Sequence, residues 1–77
     1  MIKKKFAIIG DGFLAANVAD AYAHGKMPNY ELTCILGRID ERLDELSTKC
    51  NCKAVKTLDA LLATEPEIVA EMAAVEA

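Results

Sequence analysis

Apolar residues recur along this chain with two alternating spacings, and the alternation predicts strands and helices in turn. Short runs with strand character occur at residues 4–9, 31–36, 53–56 and 67–72, and the apolar run at 31–36 suits a strand buried on both faces. Between these runs, apolar residues follow helical spacing and define one face of each predicted helix: Ala15, Val18, Ala19 and Tyr22, then Leu43, Leu46 and Cys50, then Leu58, Leu61 and Leu62. The pattern therefore predicts the element order βαβαβαβ.

Residues with particular backbone roles mark the ends of these helices. His24-Gly25 predicts the end of a first helix that begins at residue 13. Asp40 and Thr57 each predict the N-cap of a following helix, because short polar side chains accept hydrogen bonds from the first turn. Pro66 stops the third helix before the last strand.

This order of elements predicts the fold class. Strands that alternate with helices form a parallel α/β sheet with right-handed crossovers, and a doubly wound sheet of this kind has the strand order 3-2-1-4. Ligands bind outside the carboxyl ends of strands 1 and 4, where the order reverses. We expect residues 1–77 to form one domain, with the loop after strand 1 and residues 73–74 meeting at that edge.

The loop after the first strand carries the clearest chemical pattern. It contains Gly10-x-Gly12-x-x-Ala15, directly after an apolar run and before a helical pattern. Gly10 permits a tight turn, Gly12 lets a pyrophosphate approach the backbone, and Ala15 keeps the helix close to the strand. The unpaired N–H groups and partial positive charge at the start of the helix attract phosphate. The pattern predicts a dinucleotide-binding Rossmann unit.

The end of the second strand predicts which dinucleotide binds. A carboxylate there accepts hydrogen bonds from the ribose hydroxyls of NAD, whereas an arginine pairs with the 2′-phosphate of NADP. Here Gly37 occupies the carboxylate position and Arg38 follows it. This favours NADP over NAD. Alternatively, Arg38 is a solvated loop residue, and Asp40 or Glu41 belongs to the helix cap.

Charge and hydropathy exclude some classes of partner. The net charge of −3 argues against a generic nucleic-acid surface. Lys3-Lys4-Lys5 is a local exception, which either solvates the start of a strand or binds an anion or a membrane. No apolar stretch reaches the roughly 18–20 residues that span a bilayer, and the lysines interrupt any hydrophobic signal core. A cytoplasmic protein follows by default.

The three cysteines fit that compartment. Cys34 falls within an apolar strand and is expected to be a buried small hydrophobe. Cys50-Asn51-Cys52 is a C-x-C pair without a second pair, and His24 lies far away in sequence. Ordinary thiols at the end of a helix are therefore favoured over a metal site or a redox pair, and no metal is expected.

Specific motifs lie at both ends of the chain, where FAIIGDGFLA at 6–15 is joined to IVAEMAAVEA at 68–77. The second segment resembles a signature of the L-aspartate dehydrogenase family, in which a strand runs into Glu-x-Ala-Ser-x-x-Ala. Homoserine dehydrogenases carry a related domain. The resemblance implies an N-terminal NAD(P)-binding domain whose parent enzyme oxidises L-aspartate to the imino acid by hydride transfer.

The resemblance also implies roles for individual positions. By position, the residues bordering the pyrophosphate would be Gly10, Asp11, Gly12, Phe13 and Leu14. Arg38 would lie near the adenosine ribose, and Ala73 and Ala74 near the nicotinamide ribose. The sequence departs from the family at Ala15, which is usually glycine, and at Ala74, where the family has serine.

Two acidic residues near these positions have alternative roles. Asp11 is expected to be a turn residue, because its carboxylate would repel phosphate. Glu71 either pairs with a cofactor or substrate group, or points to solvent or to a neighbouring helix.

Length limits what the chain does alone. Dehydrogenases of this kind need a second domain, and the 77 residues contain no convincing general acid–base pair. We expect a domain truncated after the fourth strand, which lacks a C-terminal catalytic domain and self-associates into homo-oligomers through its exposed sheet edge. The alternatives are a regulatory nucleotide-sensing module, a methyltransferase core, and a folded fragment without ligand affinity.

Overall fold

Four parallel strands form one sheet between helices in the computed structural model, which describes residues 3–10 and 12–72. The strand order β3-β2-β1-β4 and the parallel pairing confirm the predicted 3-2-1-4 sheet. The elements are β1 (Lys4–Ile9), α1 (Phe13–Ala23), β2 (Tyr30–Leu36), α2 (Asp40–Cys50), β3 (Lys53–Val55), α3 (Leu58–Leu62) and β4 (Ile68–Glu71).

Most predicted boundaries agree with these elements. β2 begins one residue earlier than expected, β3 ends one residue earlier, and β4 is one residue shorter at each end. The predicted cap of α3 is confirmed, because the Thr57 hydroxyl accepts a hydrogen bond from the N–H of Ala60 at 3.1 Å.

The predicted N-cap of α2 is wrong. Ile39 occupies that position, because its carbonyl accepts the first helical hydrogen bond, from the N–H of Leu43 at 2.9 Å. Asp40 is instead the first helical residue, and its carboxylate forms an ion pair with Lys56. The pairing directs the Asp40 side chain toward β3, so it makes no capping hydrogen bond.

One face of the sheet is covered by α1 and α2. The predicted small residues Ala15 and Ala19 are fully buried there, which lets α1 approach the strands closely. The other buried members of this core are Phe6, Ile8, Leu32, Ile35, Leu43, Leu46 and Cys50. Polar contacts also join the two helices: the Cys50 thiol donates to the Ala19 carbonyl at 3.3 Å, and the Lys49 ammonium lies 3.6 Å from the Asp20 carboxylate.

An irregularity between β1 and β2 decides which β2 residues face this core. Phe6 pairs with Leu32, but the next residue of β1 pairs with Cys34, so Thr33 is an extra residue in β2. As a result Leu32 and Ile35 both contact the α1–α2 core, although they are three positions apart. The Thr33 hydroxyl donates to the Phe6 carbonyl at 3.3 Å.

The opposite face is covered by α3 through a smaller core of Ala7, Cys34 and Leu61. β4 forms one edge of the described sheet and β3 the other, and Ile68 and Val69 of β4 are each 42% exposed. The predicted self-association through this edge stays a prediction. No helix among the described residues is both long enough and apolar enough to cross a bilayer.

The three cysteines are free thiols. Cys34 and Cys50 are buried, as their apolar positions predicted. Burial raises the pKa of Cys50, and it raises the pKa of Cys52 to about 12, with a further contribution from the neighbouring thiols. Both side chains therefore stay protonated and weakly nucleophilic at neutral pH.

The raised pKa of Cys52 predicts a loss of stability at alkaline pH. Above pH 9 the unfolded chain releases the Cys52 proton while the folded chain retains it, so the free energy of unfolding falls as pH rises toward about 12. We expect Cys52→Ala to show a shallower fall in urea unfolding between about pH 8 and pH 11 under reducing conditions. Identical slopes for the variant and the parent would contradict the assignment.

Candidate functional site

Backbone hydrogen bonds bring three loops together at the carboxyl edge of the sheet. Gly10 donates its N–H to the Leu36 carbonyl at 2.7 Å, and Met72 donates to the Ile9 carbonyl at 2.7 Å. Gly37 donates to the last carbonyl of β3 at 3.2 Å. The turn after β1, the loop after β2 and the end of β4 therefore lie side by side, at the edge where ligands of such sheets bind.

The two glycines of the turn differ in whether their backbone conformation requires glycine. Gly10 has φ +129°, a conformation that side chains rarely adopt, so the fold itself demands glycine there. Gly12 has an ordinary φ of −89°, and a Cβ built on it would meet nothing within 4 Å. Neither backbone conformation nor packing against the described residues explains glycine at this position. The bare backbone of Gly12 instead borders open space.

The start of α1 faces that space, and no side chain of residues 3–10 or 12–72 caps it. Gly12 is the N-cap and has no side chain to accept from the first turn, while its carbonyl accepts the N–H of Ala16 at 2.9 Å. The first turn of α1 holds no acidic residue, whereas the first turn of α2 holds Asp40 and Glu41. An anion at this position would be stabilised by the N–H groups and the positive end of the α1 dipole.

The first two side chains of α1 are apolar and exposed. Phe13 is 83% and Leu14 57% exposed. Phe13 lines a groove of about 320 Å³ between α1 and α2, which begins at Gly12. The remaining lining residues are Ala16, Arg42, Glu45, Leu46 and Lys49. The groove combines an apolar floor with the side chains of two cations and one acid beside the glycine turn.

The loop after β2 carries the residues expected to select the cofactor. Gly37 directly follows the strand and is buried, and Arg38 is exposed in the bend that follows. Asp40 and Glu41 lie in the first turn of α2, where acids stabilise a helix. Lys56, which directly follows β3, pairs with Asp40. The Asp40 carboxylate is thus balanced by a cation on the β3 side of the loop.

Three other predicted residues lie outside the described chain, and Glu71 lies at this edge. Asp11, Ala73 and Ala74 lie outside the described residues. Glu71 ends β4 beside Ile9 and is exposed, which agrees with the solvent-facing alternative.

His24 lies at the far end of α1 from the glycine turn. Its Nδ1 is 2.7 Å from the Asp20 carbonyl and 3.5 Å from the Asp20 carboxylate. These contacts agree with the predicted role of His24 at the helix end.

Sequence reasoning missed Arg42 and Lys56 at this site. The signal for Lys56 was its position directly after a strand, since the carboxyl ends of parallel strands share one edge. Arg42 lies two residues into the helical pattern of α2, where a charged residue looks like any other solvated position.

Two solved structures resemble this chain. GenD2 from gentamicin A biosynthesis, whose crystal structure is in complex with NAD, matches with a TM-score of 0.81 at 22% identity, covering 94% of this chain and 20% of GenD2. A protein of Desulfitobacterium hafniense DCB-2, whose name describes an NADPH-dependent oxidoreductase, matches with a TM-score of 0.77 at 31% identity. That match covers 91% of this chain and 20% of the protein.

These matches establish the fold. The chain has the Rossmann-like α/β arrangement of a segment of both proteins and spans about a fifth of the length of each. No protein-family model matches the chain, and no curated protein matches it either.

Proposed function

We propose that this chain is the NAD(P)-binding part of an oxidoreductase. The observation that carries the proposal is Gly12, where an ordinary φ and open space leave a bare backbone with no structural need for glycine. A pyrophosphate seated on the N–H groups of α1 supplies the missing reason, because a Cβ at Gly12 would occupy its place. Both structural neighbours support the proposal, since one is in complex with NAD and the other is named for NADPH.

Different residues of the chain would hold different parts of the dinucleotide. The backbone of Gly10 and Gly12 with the first turn of α1 would hold the pyrophosphate. Gly37 and Arg38 would border the adenosine ribose, and the residues after β4, including Ala73 and Ala74, would border the nicotinamide ribose. The dinucleotide supplies the hydride chemistry when bound, and the chain binds and orients it.

We propose NADP as the preferred dinucleotide. The buried Gly37 offers no carboxylate to the ribose hydroxyls, and the exposed Arg38 follows it at the edge of the sheet. A guanidinium suits the 2′-phosphate, because it is always charged and donates hydrogen bonds in a planar fork.

For the parent reaction we propose an L-aspartate dehydrogenase-like oxidation of an amino acid. The support is the resemblance of the two ends of the chain, at 6–15 and 68–77. Ala74 stands where the family has serine. We propose that a further domain supplies the catalytic acid or base and the substrate pocket.

Nucleotide titration tests the proposed function. We expect the 77-residue chain to bind NADPH more tightly than NADH, and to show no saturable binding of S-adenosylmethionine, in chemical-shift titrations followed by NMR. Preference for S-adenosylmethionine would indicate the methyltransferase alternative. If the chain binds no nucleotide, the proposal is overturned. Tight NADH binding together with no dehydrogenase activity in the full protein would favour a regulatory module.

The role of Gly12 predicts a selective loss of binding. In Gly12→Ala the added methyl group has room in the unliganded fold, so we expect a loss of at most about 1 kcal/mol of stability, from the weaker N-cap. Binding of NADPH and NADH should weaken by at least about tenfold, because the methyl group takes the place of the pyrophosphate.

Gly25→Ala is the matched control. Gly25 has φ +75° at the far end of α1, so alanine there strains the backbone at a distance from the turn. We expect this variant to lose stability in urea unfolding while it keeps the nucleotide affinity of the parent. Equal affinities for Gly12→Ala and Gly25→Ala would count against a phosphate site at the turn.

The role of Arg38 predicts a change in cofactor preference. Arg38→Ala should weaken NADPH binding about 10- to 100-fold, the range of a charge-assisted bidentate pair, and should leave NADH binding nearly unchanged. The measurement is the ratio of the two dissociation constants. An equal loss for both nucleotides would show that Arg38 does not contact the 2′-phosphate.

A further inference from the structure

We propose that Lys56 helps to select NADP by neutralising Asp40, without touching the cofactor itself. The inference rests on the proposed function, because it concerns the charge around the site assigned to the adenosine ribose. Lys56 would be a positioning residue, which acts on the ligand through the carboxylate that it holds.

The topology places both partners beside the proposed 2′-phosphate site. Asp40 follows Arg38 by two residues, at the start of α2. Lys56 follows the last residue of β3, whose carbonyl accepts the N–H of Gly37 at 3.2 Å. The Lys56 ammonium is paired with the Asp40 carboxylate. The cation therefore reaches the loop from the neighbouring strand.

The pair changes the charge that a 2′-phosphate would meet. A phosphate monoester carries a charge of about −1.5 to −2 at neutral pH, so a nearby free carboxylate opposes its binding. Arg38 and Arg42 contribute positive charge on this side of the sheet, while Asp40 and Glu41 contribute negative charge. Pairing with Lys56 balances one of these two acids, so a phosphate beside Arg38 would meet less negative charge.

The other cations nearby do not compensate the charge of Asp40. Lys49, which lines the same groove as Arg42, lies 3.6 Å from the Asp20 carboxylate of α1 and is balanced there. The Arg42 side chain makes no hydrogen bond or ion pair with residues 3–10 or 12–72, and it lines the groove together with Glu45. Within the described chain, Lys56 is thus the cation that decides whether Asp40 is compensated.

The exposure of the pair sets the size of the effect. The Lys56 and Asp40 side chains are 53% and 77% exposed, so water screens their charges. Removal of Lys56 should therefore lower the preference for NADPH over NADH by about two- to fivefold, the range for exposed charge pairs. This change is smaller than the one expected from loss of Arg38.

A cycle of variants tests the proposal. Dissociation constants for NADPH and NADH are measured with the 77-residue parent, Lys56→Met, Asp40→Asn and the double variant, with circular dichroism to verify folding. We expect Lys56→Met to lower the NADPH preference, Asp40→Asn to keep or raise it, and the double variant to return to the parent value. Lys53→Met is the control, because Lys53 is an exposed lysine at the opposite end of β3.

Each alternative gives a different pattern. A direct contact between Lys56 and the phosphate predicts that the double variant stays as weak for NADPH as Lys56→Met, which would overturn the proposal. A purely structural ion pair predicts equal changes for both nucleotides and an unchanged preference, which would also overturn it. If Lys56→Met does not fold, a fall in NADPH preference for Asp40→Asn alone is the contradicting result. A parent that binds neither nucleotide would instead overturn the proposed function.

Discussion

The pairing of β1 with strands on both sides is the interaction on which the rest of the structure depends. Because β1 lies between β2 and β4, its last residue and the turn that follows are held by backbone hydrogen bonds from two directions. The positive φ of Gly10 then turns the chain directly into α1. A central strand that ends in a tight turn places a helix N-terminus at the carboxyl edge of the sheet.

Packing on the α1–α2 face maintains this geometry. Ala15 and Ala19 bring α1 close to the strands, while Leu43 and Leu46 fill the space beneath α2. The extra residue at Thr33 adds Leu32 to the same core as Ile35. Burial on this face fixes the positions of α1 and α2, so the groove between the two helices follows from core packing.

The two helix N-termini at this edge differ in charge, and the difference fits the proposed roles. α1 begins without an acid, whereas α2 begins with Asp40 and Glu41. The same dipole effect that stabilises acids in α2 leaves the start of α1 open to an external anion. The Asp40–Lys56 pair then balances one carboxylate near Arg38, where the 2′-phosphate is proposed to bind.

The sequence by itself determined the element order, the helix of residues 13–23, the Thr57 cap and the glycine turn, because each depends on residues close together in the chain. Only the tertiary structure decided that Ile39 caps α2 and that Thr33 is an extra residue in β2. The contact between Lys56 and Asp40, which are 16 residues apart, also depends on the tertiary structure. These features depend on strand register and on contacts across the sheet edge, which local patterns of apolar and polar residues do not encode.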